Sequence, residues 1–394
     1  MHLSGNMQAG ASGKKYAGLD HLRALAITLV FLCHYRMFDH PGWLNDIGGF
    51  GWIGVDLFFV LSGFLIAGQL FSDIRQEKPL QIKTFYIKRF FRIIPAYLFV
   101  LTLYFTVPLF KETEDLAPLW KYLTFTQNFG LDLSKERAFS HAWSLCIEEQ
   151  FYLLLPFVVL FFVKSSKPKQ AFYLVLALFI GGFVLRIYSW LHFIAPARGQ
   201  DGFWFIWYKW IYYPTYTRLD GLLAGICIAG IFQFRPQLKE RITKHGNKLL
   251  LLSLLLLTGA YFLYEDSSTF AASVFGYPLI AVAFGAMVIA ALSPTCFLYR
   301  ASAKVTGVIA TLSYSIYLSH KGVVHVTQFW INKWGFQIDK NWMMLICIVS
   351  TILAGLLMHY TIERFFLRLR DKVLIRDSKA IQVTGVGDEM KKAG

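Results

Sequence analysis

The sequence predicts an all-α fold, a polytopic bundle of about ten membrane-crossing helices with both termini in the cytoplasm. Three observations predict it. Hydrophobic residues make up 56% of the 394-residue chain against 16% charged, with a mean hydropathy of +0.48, which is more apolar and less charged than a water-soluble domain. Apolar runs near the ~20 residues that a bilayer core requires recur from end to end. Lys and Arg gather in alternate loops: Lys14 and Lys15, a cluster between 75 and 92, Lys164 to Lys169, Arg235 to Lys248, Arg300 with Lys304, and Arg364 onward. The positive-inside rule puts those loops and both ends in the cytoplasm. The net charge of +15 is thereby assigned to a membrane face, and nucleic acid is not an expected partner.

The expected spans are 18–37, 52–71, 87–109, 143–163, 170–192, 213–233, 248–264, 274–292, 305–329 and 342–363, each an apolar run bounded by polar or Pro/Gly-bearing loops. Residues 1–17 are polar and Gly/Ser-rich, read as a flexible cytoplasmic start without the pattern of a cleavable leader. Residues 18–366 form the membrane domain. Residues 367–394 are polar and read as a disordered cytoplasmic tail. Two outer loops, 110–142 and 193–212, are long enough to lie in the interface as short amphipathic pieces. All eleven Trp fall on the outer side of this topology, as an interfacial belt or as flat walls for a sugar. The five Cys sit singly inside apolar runs, which excludes a disulfide framework and a thiolate metal site and leaves them as packing residues. No metal site is expected, and no P-loop or dinucleotide glycine pattern is present.

The first span carries the strongest chemical signal. In DHLRALAITLVFLCH, Arg23 and His34 are eleven residues apart, on almost the same helix face and about 16 Å apart along the axis. Ionisable side chains inside a bilayer are costly and mark function. The topology sets other polar groups at the depth of His34. They are Asp56 on span two, Ser144, Glu148, Glu149 and Tyr152 on span four, Arg218 and Asp220 on span six, and Tyr314, His320 and Lys321 on span nine. Together they are expected to line a cavity that admits water. A histidine is suited to removing a hydroxyl proton near neutral pH, and a carboxylate from Glu148 or Glu149 is the expected partner that orients it. The competing reading of that glutamate pair is a structural ion pair with Arg218 or Lys321. On the cytoplasmic side, Arg89 and Arg92 point the same way by i, i+3 spacing. With Arg23 they suit the phosphates of a cytosolic donor. Gly51, Gly54 and Gly63 in GWIGVDLFFVLSGFLI read as close helix packing.

These segments in order resemble the membrane acyltransferase-3 family, the O-antigen and exopolysaccharide acetylase type. The matching pieces are R-x10-H at Arg23 and His34, GVDLFFVLSGFLI, RFFRIIPAY, WSLCIEEQFYLLLP, TRLDGLLAG, SYSIYLSH and IERFF at Glu363. The resemblance implies an integral membrane enzyme of the bacterial inner membrane. It implies transfer of an acyl group, usually acetyl from acetyl-CoA, to a hydroxyl of a carbohydrate or glycolipid acceptor. It implies His34 as the base and Arg23, Arg89 and Arg92 in donor binding, with acyl-CoA as co-substrate and no permanently bound cofactor. Some members carry a further periplasmic esterase-like domain; without one, transfer finishes within the membrane domain or with a separate partner. Two other readings share the same features: a transporter or flippase of a glycan or lipid-linked intermediate, and N-acylation of an amino sugar.

Overall fold

The computed structural model describes residues 17–165 and 168–376, and every regular element among them is helical. Ten longer helices correspond to the ten expected spans. They are α1 (Ala17–Tyr35), α2 (Ile53–Arg75), α3 (Ile82–Thr106), α4 (Trp143–Lys164), α5 (Pro168–Ser189), α6 (Asp220–Phe234), α7 (Gly246–Leu263), α8 (Phe270–Ala291), α9 (Lys304–Lys333) and α10 (Asn341–Met358). Among the described residues, eight helical segments are long and apolar enough to cross a membrane. A ninth arises if α6 is joined to Pro236–Thr243 across a 112° bend. The chain is thus a polytopic helical membrane protein, and among the described residues eight to nine of the ten expected spans pass by length and composition.

The difference lies in α9. It has 30 residues but turns Ser313, Ser315, Ser319, His320 and Lys321 into the protein interior, so its polarity faces other helices instead of lipid. The last segment is helical from Asn341 to Arg376, past the boundary expected at 366. Residues 1–16 and 377–394, which hold most of the two expected flexible ends, lie outside the described residues.

Helix α1 packs against α9 on one side and α2 on the other; α7 and α8 form one antiparallel pair and α9 and α10 another. The most extensive contact is between α2 and α6. A Cβ placed on Gly63 would lie 2.2 Å from the Leu222 carbonyl oxygen, and one on Gly225 would lie 2.4 Å from that of Val60. Gly221 and Gly225 stand four residues apart, so one face of α6 lets the two backbones touch. Gly63→Ala should therefore force the helices apart and destabilise the protein by about 1–3 kcal/mol. Thermal unfolding in detergent tests this, and an unchanged midpoint would show that the contact carries no weight.

Residues 107–142 form a folded cap that buries Tyr122, Leu131, Phe139, Gln127 and Asn128 completely. Tyr104, Tyr122 and Phe139 stack there with centroids 4.4 to 5.7 Å apart, which adds ring packing to the burial. The tryptophans divide. Trp43, Trp120, Trp204, Trp330, Trp334 and Trp342 are exposed, whereas Trp143, Trp190 and Trp207 are buried. The buried ones pack on other rings of the bundle and present no open wall for a sugar.

Candidate active site

Two helices bring three arginines to one cavity. Arg23 comes from the first turns of α1, and Arg89 and Arg92 from α3. They line a cavity of about 130 Å³ together with Ser62, Ser144, Glu148, Glu149, Tyr152, Tyr314 and Tyr317. That volume holds a chain-like group and is far below what a whole nucleotide needs. Each wall is held from within. Arg23 Nη1 donates to Asp20 Oδ1 at 3.4 Å. The Arg89 guanidinium lies 5.7 Å from the centroid of the Tyr152 ring, a cation–π distance. Tyr152 Oη donates to Ser62 Oγ at 3.0 Å, and Ser62 donates to Glu148. Tyr314 Oη donates to the Ile93 carbonyl at 3.0 Å, tying α9 to α3.

The cavity stops at Ser144, Phe58 and Tyr317. Tyr317 Oη donates to the His141 carbonyl at 2.7 Å and lies 2.5 Å from Ser144 Oγ. Its single proton is used on His141, so Ser144 is the donor in the second bond. Phe58 packs edge-on against Tyr317 at 6.3 Å. This layer stands between the arginine-lined cavity and His34, which is not among the residues lining that cavity.

Beyond it lie three imidazoles. His34 Nδ1 is 2.8 Å from His320 Nε2, and the two rings stack at 5.0 Å and 21°. His141 stands 5.1 Å from His320 and 5.7 Å from His34. Next to His320, Lys321 Nζ is 2.6 Å from Glu112 Oε1. His34 faces His320, so its partner is another histidine. Glu148 and Glu149 are not that partner; they sit at the arginine end, because Ser62 and Tyr152 hold Glu148 one turn and more below the Ser144 layer. They also pair with neither Arg218 nor Lys321.

Asp56, Arg218, Asp220 and Lys321 do not line the cavity either. Arg218 Nη2 donates to both oxygens of Asp56 at 2.9 and 3.0 Å. Its guanidinium is boxed by Tyr277 at 3.9 Å, Tyr212 at 4.7 Å and Trp143 at 5.4 Å. Asp220 takes a bidentate pair from Arg186 at 2.6 and 3.2 Å. Buried charges persist only when paired and hydrogen-bonded, and these partners are all far apart in sequence. Among the described residues no cluster of His, Cys, Asp and Glu could hold a metal ion.

Glu112, His141 and Tyr317 escaped the sequence reading. Glu112 and His141 lie in a loop that looked interfacial. Tyr317 had a signal: Tyr314, Tyr317 and His320 repeat at three-residue spacing along one strip of α9.

A cation-lined cavity below a buried imidazole cluster, in a helical membrane bundle, is the frame in which the comparisons fall. A family model described as an acyltransferase domain, Acyl_transf_3, matches residues 16–360, and the chain belongs to that family. It is 28% identical over 325 residues to the O-acetyltransferase OatA of Staphylococcus aureus (strain NCTC 8325), covering 78% of this chain and 50% of the relative. It is 29% identical over 343 residues to the peptidoglycan O-acetyltransferase OatA of Listeria monocytogenes, covering 80% and 50%. The chain thus spans about half the length of these curated relatives. No solved structure matches it.

Proposed function

We propose that this chain is an O-acetyltransferase of the bacterial cytoplasmic membrane, moving an acetyl group from a cytosolic acyl-CoA to a hydroxyl of a cell-envelope polysaccharide. The observation that carries the reading is the stacking order: arginine-lined cavity, one closing layer at Tyr317 and Ser144, then His34. With both termini cytoplasmic, the arginines face the cytosol and His34 the outer leaflet. Arg23, Arg89 and Arg92 grip the donor's phosphates, and its flexible arm occupies the cavity with the thioester towards the closing layer. The acceptor hydroxyl gives its proton to His34, its oxygen attacks the thioester carbonyl, the carbon–sulfur bond breaks, and the thiolate leaves and takes up a proton. The name of the Listeria relative, a peptidoglycan O-acetyltransferase, supports a polysaccharide acceptor.

Purified protein mixed with acetyl-CoA and soluble glycan strands should release free thiol and form ester-linked acetate in equal amounts. Absence of thiol release would overturn the reading, and accumulation of glycan across a vesicle membrane without it would make the chain a transporter. Arg89→Ala and Arg92→Ala should each raise the donor KM by roughly 10- to 100-fold, the loss of one charge-assisted contact of about 1.5–3 kcal/mol. A change confined to the acceptor KM would remove these residues from the donor site.

A further inference from the structure

We infer that His320 is a positioning residue that fixes the proton of His34 on Nδ1 and so leaves Nε2 of His34 as the bare, basic nitrogen. The inference rests on the proposed acyl transfer and adds the atom that performs it.

The geometry runs in one direction. His320 Nδ1 is 2.9 Å from the Tyr317 carbonyl and 3.1 Å from the Ile316 carbonyl. Carbonyl oxygens only accept, so Nδ1 must carry a hydrogen. Among the described residues no carboxylate is bonded to either ring, and a buried imidazole with no carboxylate partner is neutral. A neutral His320 with its hydrogen on Nδ1 has a lone pair on Nε2. That lone pair faces His34 Nδ1 at 2.8 Å, so His34 donates there. The other nitrogen of His34, Nε2, then holds the lone pair.

The backbone of α9 thus does what a carboxylate does in a serine hydrolase: it dictates the tautomer of the base and the tilt of its ring. The difference is charge. When His34 takes a proton, the positive charge is shared with a neutral ring. The nearby Lys321 charge is already answered by Glu112, so the imidazolium does not form beside an uncompensated cation.

The test uses the full chain, labelled with nitrogen-15 histidine, in lipid bilayers, with the His34 signals identified by their loss in His34→Gln. In the wild type His34 should show a protonated Nδ1 and a bare Nε2. His320→Ala should shift His34 towards the opposite tautomer. It should also lower kcat by about 100-fold or more with the donor KM unchanged. His320→Gln, whose carbonyl oxygen can accept from His34 Nδ1, should restore much of the rate. A wild-type His34 protonated on Nε2 would overturn the inference, whether or not His320→Ala folds, and so would a tautomer and kcat indifferent to His320→Ala. If the wild type transfers no acyl group, the functional reading fails, while the tautomer measurement still decides the His34–His320 relation.

Discussion

His34→Ala is expected to abolish acyl transfer while leaving the fold and donor binding in place. General-base catalysis supplies about 10²- to 10⁴-fold in rate, and removal of the ring leaves the acceptor hydroxyl without a proton acceptor at that depth. The fold should survive for a structural reason. His34 is half-buried and its ring bonds only to His320 among the described contacts, so the substitution breaks one neutral pair and strands no charge. Donor binding should survive because the arginines lie on the far side of the Tyr317–Ser144 layer. The measurement is a single-turnover rate beside the donor affinity and the unfolding midpoint of the same preparation. Wild-type transfer by His34→Ala would end the assignment of His34 as the base.

The largest effect on stability is expected at Asp56. Its carboxylate is the charge partner of Arg218, and both side chains are almost fully buried, at 5% and 0% exposure. Asp56→Ala leaves a guanidinium without its anion inside an aromatic box. Breaking such a pair from one side costs about 3–5 kcal/mol, a large share of the 5–15 kcal/mol that holds a typical domain together. The variant should be lost from the membrane or unfold at a markedly lower temperature in detergent. Combining Asp56→Leu with Arg218→Met removes both charges and refills the space, and should recover much of the loss. If Asp56→Ala alone unfolds at the wild-type midpoint, the pair is not what holds α2 to the start of α6. The same comparison separates function from scaffold. A charge that lined a substrate path would be lost with activity first, whereas this one should be lost with the fold.

How legible the site was depended on how far each partner lay along the chain. Arg23 with His34, and Arg89 with Arg92, are spaced within one helix, and helical periodicity alone gave their shared faces. The pairing of His34 was not legible. His320 is 286 positions away, and nothing in either segment says that α1 and α9 meet ring to ring. Glu148 and Glu149 looked like partners of His34 because both spans were placed at one depth. In the structure they stand below the Ser144 layer instead, Glu148 beside Ser62 and both glutamates in the lining of the arginine cavity.

The same limit governs the buried ions. Asp56, Arg218 and Asp220 announced themselves as costly charges in apolar runs. Whether they faced substrate or one another depended on which helices touch. The Gly63, Gly221 and Gly225 contacts bring α2 against α6, and with that approach Asp56 meets Arg218.

By itself the sequence determined that this is a helical membrane protein. It also determined where its long helices run and which residues are too polar to face lipid. Those follow from composition and period, which are local and set by transfer from water to hydrocarbon. Only the tertiary structure decided which of those polar groups lock the bundle and which stay available for chemistry. Each buried charge must find its partner across helices, and that choice is made by packing between segments the chain order does not place together.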